Sequence, residues 1–365
     1  MRADEQDALR RRCAIVVSGH GDDAPGAELA RVAEWCSRNG WHADRYGEGA
    51  LVGAFEARVA ALLGKPAAAF MPSGTMAQQI ALRIACDRAN NSVIAMHPTS
   101  HLELHEEHAY ARLHSLRAIL LGERKRPTSA RDLDELAETP AALLVELPAR
   151  EIGGRLPDWP ELVALMTLAG ERGIWRHMDG ARLWEAREHY APASYADICA
   201  QFDSVYVSFY KGVGGIAGAA LAGPADFIAE ARVWLRRHGG NLVHLYPYVL
   251  AARLGLRERL DRFPAHHERA REVAAALQSV PGVVVKPATP QTHMMHVYLP
   301  GDKDQMLAES LAIAREERVS LVRWLSPTEL PGYAKFEVAV GEAAFALTDE
   351  EIAGYFARIV AAGQE

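Results

Sequence analysis

Short apolar runs alternate with helical stretches through the middle of this chain, and that alternation constrains the fold more than any other feature. Strands are expected at 93–96, 118–121, 141–147, 174–178 and 202–210, where β-branched and aromatic residues are bounded by polar or glycine-containing turns. Helices are expected at 77–86, 130–138, 161–171 and 226–237, where apolar positions recur at helical spacing. Strands that alternate with helices predict an α/β fold whose sheet is mainly parallel and covered on both faces. In such sheets ligands sit beyond the carboxyl ends of the strands. Asp179 and Lys211 both fall at strand ends, one strand-helix-strand unit apart, so both can face one crevice.

With 365 residues the chain suits two domains with ample core. The expected division is an N-terminal arm at 1–24, a large domain at 25–255 and a smaller α+β domain at 256–365. The arm carries a brief apolar run at 13–17 and a loop at 18–23. Helices follow at 25–37 and 52–63. A long helical stretch over 246–277 leads to the small domain, with strands near 283–285, 294–299, 320–322 and 336–340 and helices near 306–315 and 349–362. A net charge of −7 without a basic tract argues against nucleic-acid binding. Cys13, Cys36, Cys86 and Cys199 are far apart and form no Cys-x-x-Cys pair, which fits reduced thiols in a cytoplasmic protein. No apolar stretch is long enough to span a bilayer, and the first residues lead into no signal-peptide core.

Lys211 ends the apolar run 202–210 and opens the turn Lys211-Gly212-Val213-Gly214-Gly215. Ordinarily a lysine there is exposed and opens a loop. At a buried strand end its pKa falls, and the partly neutral amine is a nucleophile for carbonyls. Phe70-Met71-Pro72-Ser73-Gly74-Thr75-Met76 leads into a helix, whose first N–H groups and hydroxyls make an anion site suited to phosphate. Ser73 or Thr75 equally fits a plain N-cap. His97, His101, His105, His108 and His114 form a cluster, but His105 and His108 are three apart instead of the four of a His-Glu-x-x-His metal pattern. No metal site is expected, and a solvated polar helix accounts for most of these histidines.

Asp179 is placed to keep a pyridine nitrogen protonated, and Arg182, three residues on, to grip a carboxylate with a bidentate fork. An imidazole such as His101 can stack on a flat ring. Each signal is weak alone. In this order, phosphate site, stacking ring, carboxylate and lysine together point to pyridoxal 5'-phosphate, whose protonated ring is an electron sink for a carbanion at the substrate Cα.

The chain resembles the threonine aldolases, within the wider β-eliminating lyases of fold type I. The resemblance is carried by Tyr46-Gly47-Glu48, by Ser73-Gly74-Thr75-Met76-Ala77, by Ser100-His101, by His177-Met178-Asp179-Gly180-Ala181-Arg182 and by Lys211-Gly212. It implies a fold type I transferase-like architecture. It implies catalytic roles for Lys211 and His101. Cofactor binding is implied for Ser73, Gly74, Thr75, His101, Asp179, Arg182, Lys211 and Arg236, and substrate binding for Ser18, Tyr46 and Arg182. Tyr46 and Arg236 are expected to reach a neighbouring subunit's site, so a homodimer or homotetramer with shared sites is implied, and no nucleic-acid or membrane partner. The implied reaction is retro-aldol cleavage of a β-hydroxy-α-amino acid, threonine-like, to glycine and an aldehyde. Another carbon–carbon or β-eliminating lyase, or a non-catalytic relative that binds the cofactor, remain as alternatives.

Three departures stand out. Tyr210 precedes the lysine where the family has serine. Ala149-Arg150-Glu151-Ile152-Gly153-Gly154 replaces the family's Thr-His-Asn-Gly loop, so the second histidine is missing. Lys335-Phe336-Glu337-Val338 lacks the family's carboxylate-gripping arginine, for which Arg323 is the substitute candidate, although it equally reads as an ordinary exposed arginine.

Overall fold

The computed structural model describes residues 3–20 and 24–364. Met1 and Arg2 of the expected arm, Gly21, Asp22 and Asp23 of the expected loop, and Glu365 lie outside the described residues. The chain divides into two compact units, residues 28–261 and residues 1–27 with 262–365.

In the larger unit seven strands form one sheet: β1 (Ala67–Met71), β2 (Val93–Met96), β3 (Arg117–Leu120), β4 (Ala142–Glu146), β5 (Trp175–Gly180), β6 (Ser204–Ser208) and β7 (Ala219–Gly223). Their order is β1-β7-β6-β5-β4-β2-β3. β7 is antiparallel to both its neighbours, and the remaining pairs are parallel. The registers Glu146↔Asp179 and Asp179↔Tyr206 set three side chains in a row across the carboxyl ends of β4, β5 and β6.

Both faces of the sheet are covered. Ala69, Met71 and Leu221 pack on one face with Ile80 and Ile84 of the helix Gly74–Ala89 and with Phe227 and Ile228 of the helix Ala225–Arg237. Phe70 lies between Ala69 and Met71, so strand alternation sends it to the opposite face. There its ring meets Phe55 of the helix Ala50–Leu62 at 6.1 Å and stacks on Phe209 at 6.0 Å.

The smaller unit is α+β. A four-stranded antiparallel sheet runs in the order Ser326–Pro327, Tyr333–Ala339, Met294–Pro300, Val284–Lys286. Its core joins Met295, Val297, Phe336 and Val338 to Val273, Leu277, Ile313, Ile352 and Phe356 of three helices. The expected separate arm is not seen, because Ile15–Val16 pairs in parallel with Val319–Ser320, and Ala14 N–H donates to the Arg318 carbonyl at 2.8 Å. Those bonds assign the N-terminal residues to this unit. The division at 261 instead of 255 follows from the helix Tyr246–Arg259, which packs on the helix Ala50–Leu62 of the larger unit.

Three further expectations differ from the structure. The stretch 246–277 is two helices, Tyr246–Arg259 and Phe263–Gln278, separated by a short 3₁₀ turn. Pro264, in the first turn of the second helix, lacks an N–H and cannot continue the first. β7 escapes sequence reading because Ala219-Ala220-Leu221-Ala222-Gly223 has no β-branched or aromatic residue. His97 and His114 are buried, not solvated. His97 bonds the Thr99 hydroxyl and the Glu123 carbonyl, both at 2.8 Å, and burial pushes His114 down to about 4.

Phe55 is fully buried against Phe70 and Phe209, at 5.1 Å from the latter. Phe55→Ala should therefore cost about 3–5 kcal/mol of stability, seen as a lower denaturant midpoint; an unchanged midpoint would show that this face is not closely packed.

Candidate active site

One cleft opens where the carboxyl ends of β4, β5 and β6 meet the start of the helix Gly74–Ala89. Its lining includes Gly74, Thr75, His101, Asp179, Arg182 and Lys211, which the sequence placed together. The helix start reaches the cleft because Gly74 has no side chain. A Cβ there would stand 2.0 Å from the Tyr206 hydroxyl. Ser73 is the N-cap, its Oγ accepting the Met76 N–H at 3.3 Å, while Gly74 and Thr75 line the cleft.

Asp179 is the last residue but one of β5 and is 5% exposed. It accepts the Ala181 N–H at 3.0 Å, and burial raises its pKa against the pull of Lys211. Lys211 is lowered to about 8, by burial first and by the Arg182 cation second, opposed by Asp179, Glu185 and Glu146. That is the condition a nucleophilic amine requires near neutral pH. Glu185 lies directly behind the lysine: a Cβ on Gly212 would meet its Oε1 at 1.9 Å. Burial raises Glu185 to about 7, and the largest opposing influence is Arg182.

His101 opens the short helix His101–Leu104. Its backbone N–H donates to Glu146 Oε1 at 2.6 Å, and its Nδ1 lies 3.1 Å from Glu106 Oε1. Glu106 is buried and also accepts from Gln79 Nε2 at 3.0 Å. A carboxylate on Nδ1 fixes the ring and leaves Nε2 as the acceptor.

Below the cleft His177 is neutral, pushed down to about 3 by burial. Trp175 Nε1–H donates to Ser204 Oγ, Ser204 Oγ–H donates to His177 Nδ1, and His177 Nε2–H donates to Gln78 Oε1 at 2.6 Å. With that direction fixed, the Gln78 amide group at the cleft wall is oriented by groups outside it.

Five of the expected residues do not line the cleft, the N-cap Ser73 among them. Tyr46 is 48% exposed, with φ +54° and its N–H donating to the Val243 carbonyl at 2.8 Å. Arg236 is exposed in the last turn of the helix Ala225–Arg237. Ser18 and Arg323 belong to the smaller unit. There Ser18 Oγ donates to the Ala339 carbonyl at 3.3 Å, and Arg323 pairs with Asp7 at 3.2 Å.

Sequence reasoning passed over Glu146, Glu106, Gln78 and Arg150, all of which line the cleft. Glu146 was recoverable, since it stands at a strand end as Asp179 does. The other three act through tertiary placement and carry no local signal.

Comparison with known proteins agrees with this geometry. The model of the beta-eliminating lyase family matches residues 40–299. A solved structure of a candidate L-allo-threonine aldolase from Listeria monocytogenes is 39% identical, covers 99% of each chain and superposes with a TM-score of 0.92. Low-specificity L-threonine aldolase 1 of Arabidopsis thaliana is 26% identical over 73% of this chain and 77% of its own length. An uncharacterized protein of Caenorhabditis elegans is 28% identical over 70% of this chain, which spans 61% of that protein. The chain belongs to the beta-eliminating lyase family.

Proposed function

We propose that this chain is a pyridoxal-phosphate-dependent aldolase that cleaves a threonine-like β-hydroxy-α-amino acid to glycine and an aldehyde. The observation that carries the reading is one cleft holding a lysine lowered to about 8, a buried carboxylate at a strand end and an accessible helix start. The similarity to L-threonine and L-allo-threonine aldolases supports it. These groups fit the cofactor chemically: a nucleophilic amine for its aldehyde, an anion for its ring nitrogen and N–H donors for its phosphate.

When bound, the cofactor supplies an electron sink for the charge left on the substrate Cα. The chain's residues do the rest. Gly74 and Thr75 hold the phosphate through the helix start. Asp179 keeps its charge against the ring nitrogen. Arg182 would grip the substrate carboxylate and so orient the bonds at Cα. His101 would cover the ring of the cofactor, and its Nε2, facing away from the Nδ1–Glu106 contact, would accept the β-hydroxyl proton. Lys211 would tether the cofactor through its amine, and that amine could return a proton to the substrate.

The larger unit also carries exposed Leu242 and Val243 beside Tyr46, the three being 36%, 51% and 48% exposed. They support self-association to a homodimer or homotetramer in which Tyr46 and Arg236 complete a neighbour's site. Among the described residues no helix is long and apolar enough to cross a membrane.

Incubation with threonine, allo-threonine, phenylserine and serine tests the reading. Glycine plus aldehyde is expected, whereas ammonia plus a keto acid would reassign the chain to elimination. Lys211→Ala should abolish turnover while the thermal midpoint stays; near-normal turnover would remove the amine from the mechanism. Asp179→Asn should lower kcat/KM by about 10²-fold or more, the scale of a lost electrostatic partner in a dry site, and a two-fold effect would refute its role. For assembly, an equal mixture of Lys211→Ala and Tyr46→Ala chains should regain activity that neither has alone, and no regain would confine each site to one chain.

A further inference from the structure

Glu146 and Asp179 are register partners on adjacent parallel strands, so their side chains leave the same face of the sheet. Adjacent strands lie about 4.8 Å apart. The two residues are 9% and 5% exposed, and both line the cleft. Two carboxylates this close and this dry do not both ionise, so the pair carries one charge near neutral pH.

The surroundings decide which residue is charged. Asp179 accepts the Ala181 N–H, and Lys211 is the strongest influence opposing its burial, with His101 adding to it. Glu146 has a different setting. Burial and then Asp179 raise it to about 8, Glu151 adds to the rise, and the His101 N–H and Lys211 oppose. Glu106 faces the same space and weighs against a second anion, while the cations Arg150 and Arg182 line the cleft as well. The bond that Glu146 does make, Oε1 accepting the His101 N–H at 2.6 Å, is available to a neutral acid.

We propose that Glu146 is a positioning residue that keeps its proton at neutral pH, leaving Asp179 as the single anion of the pair and holding His101 through its backbone. Acting through two neighbours, it sets the charge beneath the ring nitrogen and the placement of the covering imidazole. The roles given to those neighbours rest on the proposed function, whereas the protonation state belongs to the cofactor-free chain and can be read there.

The first arm uses the cofactor-free protein. An unfolded glutamate titrates near 4.3, roughly, and folded Glu146 near 8. Between those values the folded state keeps a proton that the unfolded chain has released, so stability falls as pH rises and levels off above the window. Glu146→Gln has no such proton. Its thermal midpoint, relative to the native chain, should rise by about 4 °C or more between pH 5 and pH 8.5. A difference that stays flat or falls would show an ionised Glu146 and overturn the proposal. If the variant does not fold, the native chain is compared with Glu151→Gln and with itself across pH by infrared difference spectroscopy. A carboxylic-acid C=O band at pH 7 that is lost above pH 9 is expected, and no such band overturns the proposal.

The second arm reads pyridoxal-phosphate affinity at pH 7. Glu146→Ala should weaken it at least ten-fold, Glu146→Gln should regain most of that loss, and Glu146→Asp should not. Regain by Asp alone would mean that the charge matters, not the proton. Loss of this pattern with the first arm intact would fault the proposed function and leave the protonated acid in place.

Discussion

Parallel pairing of β4, β5 and β6 sets Glu146, Asp179 and Tyr206 side by side at one edge of the sheet, and the chemistry of the cleft depends on that row. Parallel strands run the same way, so their carboxyl ends gather at one rim and each can contribute a side chain there. The buried acids would be unfavourable without a nearby cation. Lys211 supplies one, and the same burial makes its amine reactive. Two unit charges 5 Å apart interact by about 3 kcal/mol at an effective dielectric near 20. That is enough to move a protonation equilibrium by two orders of magnitude, so small changes in the row reset the charge of the whole cleft.

Arg182 weighs against the acids. It is the second influence lowering Lys211 and the first opposing the rise of Glu185. The cleft therefore holds cations and anions side by side before any ligand arrives. An incoming anion meets the helix start and Arg182, while an amine or a ring nitrogen meets the acids. The electrostatic sorting of a doubly charged ligand is built into the lining.

Much of this was legible in the sequence, and the reason differs by residue. β2 and β6 announce themselves by β-branched residues, β4 by a continuous apolar run and β5 by the short lead Ile174-Trp175, and Asp179 and Lys211 stand out as charged residues where such stretches stop. The helix start at Gly74 is marked by a small polar motif. β7 is silent because alanine and glycine carry no strand preference, yet it joins β1 to β6 and so completes the sheet. Glu106 is silent for another reason. A glutamate five residues after a histidine carries no periodic signal, and only the turn after the helix His101–Leu104 brings it to the ring. Glu146 was visible at a strand end, but only the pairing of β4 with β5 shows that it has a charged neighbour.

Backbone contact makes the cleft rigid where side chains alone would not. Gly74 lies against the Tyr206 hydroxyl and Gly212 against the Glu185 carboxylate, each too close for a Cβ. The first contact ties the helix start to the row on the sheet. The second ties the lysine turn to the segment that follows Asp179 and Arg182. Helix start, carboxylate and amine are thereby held by the same few contacts, and a shift in one displaces the others. A tethered ligand that must meet all three at once needs that coupling, because an error of about 1 Å in any of them costs roughly 10²-fold in rate.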